Sequence, residues 1–278
     1  MASILFVHAH PDDAEILAGG TLALLAQSGN QVTIASMTPG DCGSAEYGPE
    51  EIARIRRGEA AAAAHLIGAN YICAEFRDLA IFNDDPSRRR VTELLRQVCP
   101  GVVITASPAD YHCDHEATSL LVRDACFGAS APNYKTGASN EAEPLPAIPH
   151  LYYADSVGGV SRFGQTIEPD FFVNVKSTIA IKREMLAKHS SQREWLKRQH
   201  GIDDYIETME QWTRSRGVIA GLEYAEGFRR YPGHPYPQSP LLEELLGSNV
   251  IIHQIADGSK SVLSQTSVRR NEQSIEAS

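Results

Sequence analysis

Four short apolar runs, Ile4–Val7, Val32–Met37, Tyr71–Phe76 and Val102–Thr105, recur through the N-terminal half of the chain, with helix-periodic stretches at 16–28, 50–67, 88–98 and 115–127 between or after them. This alternation is a βαβ rhythm. Right-handed crossovers between parallel strands then predict an α/β fold: a Rossmann-like, doubly wound, mostly parallel sheet flanked by helices. The runs are taken as strands one to four in that order. No GxGxxG or GxxxxGK[ST] follows the first run, so a phosphate cradle of either kind is not expected. Gly19-Gly20 is read as a place where a helix packs close to the sheet.

Beyond residue 127 the pattern loosens. Residues 128–149 are rich in Pro, Ser, Asn, Gly and Glu and read as a long surface loop, a candidate rim or lid. Strands are expected at Leu151–Tyr153 and near Phe171–Val175, and helix over 178–216 with a break near Gly201. Leu222–Phe228 is expected to close the ordered part. These limits give one α/β domain over 1–230, an extension over 231–257 and a disordered tail over 258–278.

Composition narrows the partners. The 278 residues are 42% hydrophobic and carry a formal net charge of −10, which disfavours a nucleic-acid or anionic-membrane partner, since both need concentrated Lys and Arg. Arg88-Arg89-Arg90 is short enough to be a solvated helix start. The five cysteines are odd in number and form no CxxC pair, so neither a disulfide framework nor a thiolate zinc finger is expected. With no leader-like N-terminus and no apolar stretch of bilayer length, a soluble, cytoplasmic protein is expected.

Chemistry concentrates in two clusters. His10-Pro11-Asp12-Asp13-Ala14-Glu15 follows strand one, and His112-Cys113-Asp114-His115 follows strand four. In a doubly wound sheet these strands are commonly neighbours where the winding reverses, and ligands bind outside their carboxyl ends. Unpaired carboxylates this close call for a compensating cation, proton or helix N-terminus. Two imidazoles and one carboxylate, His10, Asp13 and His115, suit zinc with a fourth position left for water; Fe2+ or another divalent metal is an alternative. Asp12 is then free to act as general base, and His112, oriented by Asp114, can stabilise an oxyanion and protonate a leaving amine. The bland alternative is that Asp12 and Asp13 only cap the following helix. Glu15 is divided between a first-turn dipole role and support of the site, and His8 is read as a packed or surface residue.

The chain resembles the PIG-L, or LmbE-like, family of zinc-dependent N-deacetylases. The family's AHPDDxE motif stands as Ala9 to Glu15, and its HxDH motif as His112 to His115. Similarity extends to Arg56-Arg57-Gly58-Glu59, to His189-Ser190-Ser191-Gln192 and to Tyr224-Ala225-Glu226-Gly227-Phe228-Arg229, so it covers residues 3–230. The resemblance implies zinc on His10, Asp13 and His115, Asp12 as base, His112 as stabiliser or acid, Asp114 as its orienter, and Arg56 on a substrate hydroxyl. Arg54, Arg56 and Arg57 share one turn, and an Arg56–Glu59 surface pair is the structural alternative. Cys113 departs from the family's usual Pro.

The expected activity is hydrolysis of an N-acetyl or similar small acyl group on an amino sugar or sugar-containing metabolite, by a homo-oligomer. Rim loops at 38–50 and 128–165, with Asp41, Ser44, Tyr47, Asn133 and Tyr134, are expected to choose the substrate. Two other functions compete: a non-haem iron oxygenase using His10-x-Asp12 and His115 as a triad, and a non-catalytic sugar-binding module.

Overall fold

A computed structural model describes residues 1–200 and 204–253. In chain order its elements are β1 (Ser3–His8), α1 (Asp13–Gln27), β2 (Gln31–Ser36), α2 (Pro49–His65), β3 (Asn70–Cys73), α3 (Asp85–Val98), β4 (Val102–Thr105), α4 (Cys113–Ala129), β5 (His150–Ala154), β6 (Phe171–Asn174), α5 (Ile179–Leu186), α6 (Ser190–His200), α7 (Tyr205–Ala220), β7 (Ala225–Arg230), α8 (Leu241–Leu246) and β8 (Val250–Ile252). The strands form one sheet in the order β3-β2-β1-β4-β5-β7-β6-β8. The first five are parallel, with Phe6 opposite Ile34 and Ile104. The last three join antiparallel. The winding reverses between β1 and β4, where an α/β sheet opens its crevice.

Strand alternation sends neighbouring side chains to opposite faces. Ile4 and Phe6 enter a core with Leu17 and Leu22 of α1 and Met185 of α5. Leu5 and Val7 enter a second core with Leu94 and Leu95 of α3 and Leu121 and Val122 of α4. Each fully buried aliphatic side chain contributes about 1.5–3 kcal/mol, so β1 is anchored from both sides. The doubly wound expectation therefore holds.

Element edges differ from the sequence expectations for local reasons. α3 starts at Asp85 because Asp84 caps it, accepting from the Ser87 N–H at 2.9 Å; its Arg89 pairs with Asp85 one turn back. β3 stops at Cys73 because Glu75 takes φ 59, which a strand cannot accommodate. The ordered part does not end at Phe228: α8 follows, and β8 adds to the sheet edge by pairing Val250 with Val173. Three residues of strand gave too short an apolar signal to detect. Residues 201–203 and 254–278, which include the expected helix break and tail, lie outside the described residues. No helix among the described residues is long and apolar enough to cross a membrane.

The 128–149 loop also departs from expectation. It does not rim the crevice. Glu93 of α3 accepts from Thr136 and from the Ala142 N–H, Arg96 donates to the carbonyls of Ala129 and Ala131, and Arg89 lies over the Tyr134 ring. The loop is thus bound to the outside of α3.

Helix α1 is held against the sheet by a buried polar junction. Lys182 of α5 and Glu226 of β7 are 0% and 3% exposed and meet at 2.7 Å. Glu226 also accepts from the N–H groups of Gly20 and Thr21, and Thr178 donates to the Gly20 carbonyl. A Cβ on Gly20 would lie 2.6 Å from the Val175 Cβ, so the glycine is what lets helix and strand approach. Overpacking costs about 1–3 kcal/mol against a helix-propensity gain of about 1 kcal/mol. Gly20→Ala is therefore expected to lower stability. Gly58→Ala in α2, where an added methyl meets nothing within 4 Å, is expected to raise it by up to about 1 kcal/mol. Urea midpoints of the two variants should move in opposite directions; shifts of the same sign contradict the packing account.

Candidate active site

The carboxyl ends of β1 and β4 each pass directly into a polar turn and then a helix. After β1 the chain runs through His10 and Pro11 to Asp12, which occupies the N-cap position of α1 with φ 96 and ψ −26. A left-handed backbone costs a non-glycine residue about 1–3 kcal/mol and is retained where surroundings impose it. The Asp12 side chain makes no capping bond. It turns instead to the Tyr205 hydroxyl, 2.5 Å from Oδ2, with Arg56 Nη2 at 3.8 Å. The bland capping reading therefore fails for Asp12.

Asp13 lies at the centre. Its Oδ2 is 2.6 Å from His8 Nδ1 and accepts from the His10 N–H at 2.8 Å, and its Oδ1 is 3.5 Å from His115 Nε2. His10 Nδ1 is 3.5 Å from the same carboxylate. Burial alone would raise the Asp13 carboxyl, but His8, His115 and His10 outweigh it and hold it well below the usual carboxylate range. Asp12 goes the other way. Burial raises it, the Asp13 charge adds to this, and Arg56, the nearest cation, offsets only part.

From β4 come His112, Asp114 and His115. His115 Nδ1 is fixed by Asp110 Oδ1 at 3.0 Å, which turns its Nε2 toward Asp13, 3.5 Å from Oδ1. Burial lowers His115, but Asp13 and Asp110 raise it overall. Burial likewise lowers His10, and Asp114 and Asp13 more than reverse this, to about 10. Such an anionic field around two imidazoles is what a divalent cation neutralises. His112 caps α4: its Nδ1 accepts from the Asp114 N–H at 3.2 Å, which puts its proton on Nε2. Burial, then His10 and His115, keep His112 below its usual range and neutral.

Asp114 does not orient His112 through its carboxylate, contrary to expectation. Oδ2 lies 3.2 Å from His10 Nε2 and accepts from the Leu79 N–H at 2.7 Å. The carboxylate thus steers His10, while the backbone of the same residue steers His112. The arginine ambiguity also has an answer. Arg56 is buried and donates to the Pro11 carbonyl at 2.9 Å, Arg57 pairs with Glu75, and Arg54 is exposed. Glu59 is no partner of Arg56; it accepts from Ser190 and Ser191.

His10, Asp12, Asp13, Arg56, His112 and His115 line a single cavity of about 340 Å³, joined by Gly43, Asp78, Leu79, Val157, Gln192 and Tyr205. Asp114 stands behind it. A larger cleft of about 730 Å³ beside α2 holds Glu50, Glu51, Arg57, Glu75 and Arg77, an ordinary solvated ion-pair set without an imidazole. Among the described residues, His10–His112–His115 and His8–Asp13–His115 bring their ligating atoms within 4.8 Å of one another; the expected trio of His10, Asp13 and His115 is not itself one of these sets, although each of its members belongs to one of them. Two imidazole nitrogens and a carboxylate oxygen, with both imidazoles held at their far nitrogens by acids, fit zinc. The iron-triad reading loses its carboxylate, because Asp12 points to Tyr205 and not to the imidazoles.

Several participants were not foreseen. His8 lies buried beneath Asp13, and Asp110 holds His115; its place five residues before a candidate ligand was the available signal. Tyr205 gave none, being a residue of a distant charged helix. His189, from the His189-Ser190-Ser191-Gln192 segment, is fully buried with Nε2 3.4 Å from Glu15 Oε2, which ties Glu15 to the site's underside.

The chain is similar to known proteins in sequence and fold. Over 241 residues the chain is 29% identical to diacetylchitobiose deacetylase of Thermococcus kodakarensis, covering 83% of each protein. The crystal structure of GalB, the 4-carboxy-2-hydroxymuconate hydratase of Pseudomonas putida KT2440, superposes with a TM-score of 0.69 at 25% identity, covering 86% of this chain and all of that one. N,N'-diacetylchitobiose deacetylase of Pyrococcus horikoshii shares the fold, with a TM-score of 0.70 at 24% identity over 86% of this chain and 89% of that one. Residues 5–126, which hold both polar turns, match the PIG-L family, described as GlcNAc-PI de-N-acetylase.

Proposed function

We propose that the chain is a metal-dependent amidohydrolase that removes an N-acetyl or similar small acyl group from an amino sugar or sugar-containing metabolite. The observation that carries this reading is the division of the first turn: Asp13 faces His10 and His115, while Asp12, adjacent in sequence, is held apart as a separate carboxylate in the same cavity. His10, Asp13 and His115 would hold zinc, with Fe2+ or another divalent metal compatible with the same donors. The chemistry such an ion supplies when bound is acidification of water and polarisation of the amide carbonyl.

The remaining residues divide the proton work. Asp12, its carboxyl raised by burial and by Asp13, takes a proton from the attacking water. His112 offers its Nε2–H to the carbonyl oxygen as charge develops there. Collapse of the tetrahedral intermediate breaks the C–N bond, and the proton gathered by Asp12 passes to the leaving amine. The balance is amide plus water to carboxylic acid plus amine. Asp114 keeps His10 oriented, and Arg56, which lines the cavity, keeps the Pro11 carbonyl and Asp12 in place.

One of the proteins similar to this chain is a hydratase, so the charge of the cavity bears on the choice. Its lining carries Asp12, Asp13 and Asp78 against one guanidinium, Arg56, already engaged by Pro11 and Asp12. The lining thus offers no uncommitted guanidinium to a second carboxylate of a polycarboxylate substrate, whereas a neutral N-acyl sugar needs none. The complete set of proposed ligands with a separate base supports an enzyme over a binding module.

Incubation with N-acetylated amino sugars and glycosides, reading released acetate, tests the reading directly. Activity should vanish with a chelator and return on adding zinc; double-bond hydration of a dicarboxylate without acetate release would overturn it. Asp12→Asn, which retains size and tolerates the left-handed backbone, should lower kcat by about 10²–10⁴-fold with metal content unchanged. Asp110→Asn should weaken metal affinity by about 10–100-fold, with activity recovered at high metal concentration; unaltered affinity would remove Asp110 from the support of His115.

A further inference from the structure

The first acid of an Asp-Asp pair at a helix start has an obvious place to go. The N–H groups of Ala14 and Glu15 lie unpaired by the helix itself, and an N-cap carboxylate ordinarily accepts from one of them. Asp12 does not, although it occupies the N-cap position. Its nearest cation, Arg56, is 3.8 Å away and spends its hydrogen bond on Pro11. The group that engages the Asp12 carboxylate is the Tyr205 hydroxyl, 2.5 Å from Oδ2.

Tyr205 is well fixed for this. It is the first residue of α7, it is 7% exposed, and its ring packs with Leu186 and Met209. Burial, and then the Asp12 charge, push its phenol well above its usual range, so it stays a donor. With Oδ2 bound in this way, Oδ1 carries no hydrogen bond among the described residues, and both Asp12 and Tyr205 line the cavity. We propose that Tyr205 is the positioning residue of Asp12: its hydroxyl draws the carboxylate off the start of α1 and leaves one oxygen directed to the reacting water. This rests on the deacetylase reading for its kinetic consequence, though not for its structural one. A purely structural Tyr205 would only fill the space between α5 and α7.

Tyr205→Phe keeps the ring and removes the hydroxyl, so the unfolding midpoint and the zinc bound per chain should stay unchanged. With an N-acetylated glycoside, kcat should fall at least tenfold with KM within twofold, since no substrate contact is lost. In an Asp12→Asn background the same change should cost nothing further, because the two groups act as a unit. A crystal structure of Tyr205→Phe should show the Asp12 carboxylate turned onto the Ala14 or Glu15 N–H. The proposal is overturned if kcat stays within twofold of the wild type, if the loss is the same factor in both backgrounds, or if the carboxylate does not move. Should the wild type release no acetate at all, the deacetylase reading fails separately, and the carboxylate position alone decides the role of Tyr205.

Discussion

A buried carboxylate is expensive unless every lone pair is answered, and Asp13 is answered from three directions. His8 approaches from the last residue of β1, the His10 N–H from the turn itself, and His115 from the first turn of α4. Those demands fix the rest of the constellation. His115 must be held at its other nitrogen, which Asp110 does, and Asp110 in turn accepts from the N–H groups of His112 and Val157. One anion thus sets the mutual positions of two loops and, through the second, of the segment after β5.

Around this lies a second layer built from close backbone approach. Arg56 reaches the turn only because Gly40 and Gly43 let its guanidinium pass; a Cβ at either would sit 2.5 Å from it. Beneath α1, Gly20 and the Lys182–Glu226 pair play the corresponding part on the other side of the helix. Removing one partner of such a buried pair leaves an uncompensated charge worth about 3–5 kcal/mol. Glycines thus specify both the turn before α1 and the face it turns to Val175.

The parallel half of the fold was legible because each central strand is a continuous apolar run; Val102–Thr105 is the strand β4 itself. Helix starts were less so, since Asp84 and Pro86 carry the start of α3 and neither belongs to an apolar period. The antiparallel edge was hidden by its brevity. In the site, the residue types of both motifs were readable, as were the positions of two of them at the ends of β1 and β4. What side-chain direction decides was not: Asp114 reaches His10 instead of His112, and His8, opposite in strand alternation to the apolar residues beside it, lies below Asp13. Tyr205 and His189 come from the helical stretch after residue 178, where periodicity reports a buried face but not what it meets. The 128–149 loop was misjudged because a polar composition is equally suited to bind α3 and to rim a cleft.

His10 and Asp114 touch although they are 104 residues apart in sequence. Bringing such distant segments together carries a loop-closure entropy that an ion, like a disulfide, would otherwise have to offset. Here β1 and β4 are already adjacent strands, paired from Ile4–Val102 to Val7–Thr105, so the closure is complete before any ion arrives. An ion held by the proposed ligands would accordingly spend its affinity on coordination alone and could be lost or exchanged without the fold being dismantled, the opposite of a zinc finger, whose metal and fold stand or fall together.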